Sequence, residues 1–282
     1  MRRWLSFEVE GSRCAATLDE ADLSHGLLIV SGGNEIRSGA HRAMARLAAN
    51  LAGAGHPVLR FDRRGIGDSD GVNTGFEGSA ADIAAAVALF RRACPHLTSI
   101  TAFGNCDAAT ALALHHHGCD IDALVLANPW VIDSVATEPS TDDAPAMPPA
   151  AAIRARYAAK LRNPRELWRL ISGGVHIAKL IRGLRAARTI APATLAPRLT
   201  RGLADFDGPV TVLIASGDGT AQAFMAQWPG DDFAPVRERA TVLACNTPSH
   251  SFADVDARDW FDQRIFGAMA ASDADLTPEA NP

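Results

Sequence analysis

Cys106 stands in the run Ser99-Ile100-Thr101-Ala102-Phe103-Gly104-Asn105-Cys106-Asp107-Ala108-Ala109, where an apolar stretch passes through a Gly-x-Cys-x-Ala turn into alanine-rich sequence. A nucleophile displayed on a sharp strand-to-helix turn has the layout G-x-S-x-G, here with Cys for Ser and Ala for the last Gly. Small residues suit it because strand and helix pack closely at the turn. A thiol there would sit at a helix N-terminus, whose dipole favours the thiolate, and a neighbouring imidazole would favour it further. Such a group attacks carbonyl carbon. Taken alone, the turn is equally a buried structural cysteine after a strand, so the reading depends on finding a base and an acid.

Both follow in the chain order this layout requires, nucleophile, acid, then histidine. The run Val210 to Ala215 ends in Ser216-Gly217-Asp218-Gly219-Thr220, and Thr241 to Ala244 leads into Asn246-Thr247-Pro248-Ser249-His250-Ser251-Phe252. Asp218 is placed to orient His250, and His250 to deprotonate Cys106; Asp133 is an alternative acid. A developing oxyanion needs N–H donors from the residue after the nucleophile, Asp107, and from a loop after an early strand. In Ile29-Val30-Ser31-Gly32-Gly33-Asn34 the favoured donor is Gly33, with Asn34 as the alternative. The consecutive histidines His115 to His117 point different ways on a helix and read as a solvated helix end, not a metal site. Arg63-Arg64-Gly65-Ile66-Gly67-Asp68-Ser69 lacks the Lys-Ser/Thr end of a phosphate loop and reads as a turn walling the site.

The elements that must position these residues are legible as alternation. Buried-strand candidates are Leu27 to Val30, Val58 to Phe61, Ile100 to Phe103, Leu124 to Leu126, Val210 to Ile214 and Thr241 to Leu243. Helical spacing fills Ala40 to Ala54, Ala80 to Ala93 and Ala108 to His117. Such alternation predicts a mostly parallel central sheet flanked by helices. Segments around Phe7 to Glu10 and Cys14 to Leu18 could start it antiparallel. With the elbow, this is an α/β-hydrolase fold. The alternation stops after Pro129: a Pro/Asp/Ala-rich loop, Pro139 to Pro149, precedes helical patterns at Ile153 to Leu161, Pro164 to Ile171 and Val175 to Arg188. The expected organisation is a core of residues 1–129 and 206–271, a helical cap insertion over 130–205, and a fraying tail over 272–282.

Of the 282 residues 48% are apolar, and the net charge is −5. That average hides an asymmetry. Residues 151–204 hold twelve Arg/Lys and one acid, Glu166, whereas the rest of the chain holds 15 bases and 31 acids. The basic stretch, including Arg154, Arg156, Arg162, Arg165, Arg169, Arg182, Arg185 and Arg188, should face an anionic partner. The overall charge argues against nucleic acid. No run reaches the ~18 apolar residues of a membrane span, nor is there a signal-peptide pattern, so a cytoplasmic protein is expected. Five scattered cysteines without CxxC spacing suggest reduced thiols, and neither metal nor cofactor is expected.

A wider pattern lies across these residues. Val30-Ser31-Gly32-Gly33 through Ser38-Gly39-Ala40-His41-Arg42, then Pro57 through Gly71, Gly104-Asn105-Cys106-Asp107-Ala108-Ala109, Asn128-Pro129-Trp130-Val131, Leu167 through Gly173, Ser216-Gly217-Asp218 and His250-Ser251-Phe252 together resemble the first type of exosortase A system-associated hydrolase. Differences are a loop at Asp218 one residue shorter and the insert around Pro139 to Pro149. The resemblance covers roughly residues 26–266 and implies a cysteine nucleophile and an acyl hydrolase or transferase from a gene neighbourhood for exopolysaccharide and protein sorting, where acyl carrier proteins and acyl-activating enzymes are also found.

The expected function is therefore hydrolysis or transfer of acyl thioesters through an acyl-Cys106 intermediate, with acyl carrier protein or coenzyme A docked on the basic cap. The alternatives are a carboxylester or lactone hydrolase, marked by preference for oxygen esters, and a non-catalytic binding protein on the same fold, marked by an inert Cys106. A peptidase fits less well, since nothing marks a pocket for a peptide terminus.

Overall fold

A computed structural model of the chain describes residues 1–132 and 195–275, with the side chains of 271–275 left aside. Its centre is an eight-stranded sheet in the order β1-β2-β4-β3-β5-β6-β7-β8. The strands are β1 (Arg2–Val9), β2 (Ser12–Asp19), β3 (His25–Val30), β4 (Val58–Phe61), β5 (Ser99–Asn105), β6 (Ala123–Ala127), β7 (Val210–Ala215) and β8 (Ala240–Cys245). β1 and β2 pair antiparallel through a turn in which Glu10 and Gly11 both have positive φ, the tight hairpin turn whose twist matches that of its strands. β2 meets β4 antiparallel, and the remaining neighbours are parallel. Strands β3 to β6 are buried along their whole length apart from Asn105, as sheet covered on both faces requires. The expected α/β-hydrolase core is the fold found.

The helices are α1 (Ala43–Gly53), α2 (Ala80–Ala93), α3 (Asp107–His115), α4 (Leu195–Ala204), α5 (Gly219–Gln227), α6 (Ala234–Arg237) and α7 (Val255–Asp275). One face of the sheet packs on α2, α3 and α4, with Ile83, Phe90, Leu112, Leu199 and Phe224 in its core. The other packs on α1 and α7 through Leu47, Leu51, Phe103, Phe261 and Ile265. Two local readings change. The helix expected from Ala40 begins at Ala43, because His41 and Arg42 have positive φ and Ala40–Arg42 form a separate turn. Of the three histidines at the end of α3, which stops at His115, His117 is exposed as expected, but His116 is buried with its ring bonded to the Gly202 carbonyl at 2.8 Å, and the His116 and His117 rings lie 4.1 Å apart.

The loop Ser31–Arg42 between β3 and α1 is held by buried charge. Asp62, fully buried after β4, accepts from the Arg37 backbone N–H at 2.6 Å, from the Asp68 N–H at 3.1 Å and from the Arg37 guanidinium. Arg37 also donates to Thr17 Oγ1 at 3.0 Å and Asp68 at 2.9 Å, while Arg60 donates to the Arg37 carbonyl at 2.8 Å. Positions 133, 139–149, the three helical patterns between Ile153 and Arg188, and the eight arginines from Arg154 to Arg188 lie outside the described residues.

Candidate active site

β5 delivers the elbow. Gly104 permits it: a Cβ there would stand 2.7 Å from the Ala108 carbonyl carbon, so strand and helix could not approach as they do. Cys106, the residue before α3, has φ 63° and ψ −125°, a region costly for a residue with a side chain and often held at functional sites. Its N–H donates to Ala127 O at 2.9 Å and its carbonyl accepts from Trp130 N at 3.2 Å, which fixes the turn against the end of β6. Cys106 is half-buried at the tip.

Asp218 follows β7 as the residue before α5, and its Oδ2 accepts from the Ala221 N–H at 3.0 Å. The same oxygen takes His250 Nδ1 at 3.0 Å. The other side chain that acts on His250 is that of Cys106, which favours the charged imidazole. The geometry thus brings together the three residues expected to do chemistry. Burial opposes the charge on Asp218, but the hydrogen bonds from His250 and Ala221 hold its pKa below the ordinary carboxylate value. The His250 pKa is pushed up to about 10, by the bond to Asp218 first and the contact with Cys106 second.

That shift has a signed consequence for stability. Because the folded state holds a proton on His250 that the unfolded chain releases near 6.5, the contribution is fully present below pH 6.5 and is lost as pH climbs to about 10. Denaturant unfolding between pH 6 and 10 is expected to show this decline in wild type and a shallower one in His250→Gln.

Sequence reading missed the residues that hold His250. Asn128, fully buried and with φ 43°, donates from Nδ2 to the His250 carbonyl at 3.0 Å and accepts the Ala215 N–H at 2.8 Å. Asn105 donates to the same carbonyl at 3.3 Å and accepts from Asn128 at 3.2 Å. These amides tie the loops after β5, β6, β7 and β8 into one frame; a polar residue directly after a buried strand was the available signal. Asn128→Leu removes these partners and leaves the Ala215 N–H unpaired in the interior. It is expected to lower turnover at least tenfold, and melting temperature by several degrees, in parallel activity and thermal-unfolding assays.

Around the oxyanion position the arrangement is unexpected. Gly33 N–H donates to Asp107 Oδ1 at 2.6 Å, so the elbow's own carboxylate occupies the donor assigned to the substrate oxygen. Gly32 has no room for a Cβ, which would lie 2.6 Å from Asn105 O and 2.7 Å from Asp107 Oδ1. Asn34 turns to the surface, its Oδ1 accepting from Asn73 at 2.9 Å. Arg63, from the turn expected to wall the site, is buried and donates to the Gly33 carbonyl at 2.7 Å, while its second terminal nitrogen has no partner. Glu35, also missed, accepts from the Ala40 N–H at 2.6 Å, and burial raises its pKa. It lines a cavity of about 20 Å³ with Asn105, Ser251 and Phe252, room for about one water. Among the described residues no group of three or more His, Cys, Asp or Glu could hold a metal, and no helix is long and apolar enough to cross a membrane.

Comparison with known proteins places this geometry. An esterase of Pyrococcus furiosus superposes with a TM-score of 0.64 over 96% of this chain and 91% of its own, at 14% identity. The esterase Est1E of Butyrivibrio proteoclasticus, solved with ferulic acid bound, gives 0.60 over 94% and 99%, also at 14%. The thioesterase domain of the curacin biosynthetic pathway gives 0.54 over 94% and 99%, at 16% identity. These likenesses show the fold. Among curated proteins none matches the sequence. The family model described as serine aminopeptidase, S33, matches residues 25–182.

That match corrects three expectations. The resemblance to exosortase A system-associated hydrolases is not upheld, since the matching family is another one. The expected cysteine-nucleophile family gives way to one named for serine, although this chain's elbow residue is Cys106. Thioester hydrolysis or transfer through an acyl-cysteine falls as the leading function, because the family that matches is one named for serine. Since the model spans more than half of the sequence, the chain belongs to the serine aminopeptidase S33 family of α/β hydrolases.

Proposed function

We propose that this chain is a carboxylester hydrolase working at Cys106, His250 and Asp218. The observation that carries the reading is His250 held between Asp218 Oδ2, at 3.0 Å, and the side chain at the tip of the elbow. In that position His250 passes a proton between the elbow group and the leaving alkoxide, and Asp218 fixes the imidazole tautomer and balances its charge. The Asp107 N–H, at the first turn of α3, is one oxyanion donor; Gly33 becomes the second once the Asp107 carboxylate leaves it. Esterases among the structural neighbours support the ester class. The basic stretch of sequence from Arg154 to Arg188 belongs to the same proposal as an attraction for an anionic substrate or partner, so KM for an anionic ester should rise with ionic strength.

The test is turnover of p-nitrophenyl esters of graded chain length, beside aminoacyl p-nitroanilides, by wild type, Cys106→Ser and Cys106→Ala. Ester hydrolysis that survives in the serine variant and disappears in the alanine variant is the expected result. Full activity in Cys106→Ala, or cleavage of anilides alone, would overturn the proposal. Asp107→Asn gives a further check. The amide oxygen can still accept from Gly33, but the negative charge beside the developing oxyanion is gone, so kcat for esters is expected to rise about tenfold.

A further inference from the structure

We infer that β1 is a self-association edge and that two copies of this chain pair through it antiparallel about a two-fold axis. β1 is the last strand on its side of the sheet, eight residues long, without proline or bulge. Such an edge offers a row of free N–H and C=O groups for pairing, and charged side chains on it, here Arg2, Arg3 and Glu8, restrict which partner and register it accepts. Which backbone groups are free follows from the hairpin: the residues flanking a two-residue turn bond each other, so Val9 and Ser12 form the closing pair. Bonded and non-bonded pairs then alternate, and the Glu20 N–H bond to Met1 O at 2.8 Å continues the odd-numbered series. Odd residues of β1 thus face β2. Arg2, Trp4, Ser6 and Glu8 point their N–H and C=O groups outward, with no hydrogen-bond partner for these groups among the described residues.

The outward residues select a register and a partner. A two-fold axis through Leu5 sets Arg2 opposite Glu8 of the second copy and Trp4 opposite its Ser6, each pair exchanging both backbone bonds. Opposite charges directly across an antiparallel pair stabilise it, and this register provides the Arg2–Glu8 match twice. Glu8 is exposed and has no ion-pair partner among the described residues. Arg2, bonded through Nε to Asp19 at 2.7 Å and through one terminal nitrogen to Ala45 O at 2.9 Å, has its other terminal nitrogen free. Trp4, 73% exposed and braced from one side by the Arg37 guanidinium 4.8 Å from its ring centre, would meet its own copy diagonally across the axis. A large exposed aromatic at the centre of the contact is what an interface anchor requires. Moving the axis by one residue along the strand replaces the charge match with Arg2 opposite Ser6.

Sedimentation velocity over a range of protein concentration tests this. Wild type is expected to dimerise, and Ser6→Pro, which removes an outward N–H without breaking a β1–β2 bond, to be monomeric. Glu8→Arg, which leaves the backbone untouched and sets like charges opposite each other, is expected to do the same and serves if the proline variant misfolds. Leu5→Cys reads the register: the axis brings the two Leu5 Cα atoms to about 4.5 Å, so mild oxidation should yield a disulfide-linked dimer absent from wild type. Wild type monomeric at every concentration, or a dimer that survives Glu8→Arg and gives no Leu5→Cys crosslink, would overturn the inference. These outcomes are independent of ester turnover.

Discussion

His250→Ala is expected to lower kcat/KM for carboxylic esters by roughly 1,000- to 10,000-fold while leaving the fold intact. His250 is the only described side chain that bridges Asp218 and the elbow, so its loss removes the proton carrier and strands the tip group without a base. The fold should survive because the loop is anchored by the His250 carbonyl, held by Asn128 and Asn105, not by the ring. Groups that act as one unit are not additive. The double variant Cys106→Ala with His250→Ala should therefore be no slower than either single one, whereas independent contributions would multiply. Asp218→Asn should fall nearly as far. Its amide can present nitrogen to Nδ1 and select the wrong tautomer, and the proton on His250 should be released closer to pH 6.5, an effect visible in the pH profile of residual activity.

Asp62→Ala is expected to cost about 3–5 kcal/mol of stability, read as a melting temperature lower by roughly 10 °C. Asp62 is fully buried and takes two backbone N–H groups and the Arg37 guanidinium, itself only 6% exposed. Removing the carboxylate leaves those donors unpaired and Arg37 with Asp68, most of whose side chain is in water. The loss should reach the site too, because Arg37 and Arg60 brace the loop that carries Gly33 and Glu35. Asp62→Asn, which keeps acceptor oxygen but not charge, should fall between wild type and alanine in thermal unfolding. A variant as stable as wild type would show that the loop holds itself.

Much of the fold was legible because its rules are local. Runs such as Leu27 to Val30 and Leu124 to Leu126 are apolar throughout because strands covered on both faces have no water side to show. The proposed triad was legible for a topological reason: in parallel strands the loops at the C-terminal ends meet on one edge, so Cys106, Asp218 and His250, in the segments that follow β5, β7 and β8, converge.

What the sequence could not carry is contact between distant segments. No local rule predicts that Asp107, chosen as a backbone donor, would spend its carboxylate on Gly33, 74 positions away, or that Arg63 would be buried beneath that loop. The amide frame of Asn128 and Asn105 depends on four loops at once and leaves no periodic trace. The resemblance that suggested an exosortase-linked enzyme rested on separate short motifs scattered over roughly residues 26–266, whereas the family match over residues 25–182 is to another family. By itself the sequence determined the strand alternation, the chain order of Cys106, Asp218 and His250, and the cysteine at the elbow. Only the tertiary structure decided which hydrogen bonds those groups make, because bond geometry is set by where packed elements end and not by the residues between them.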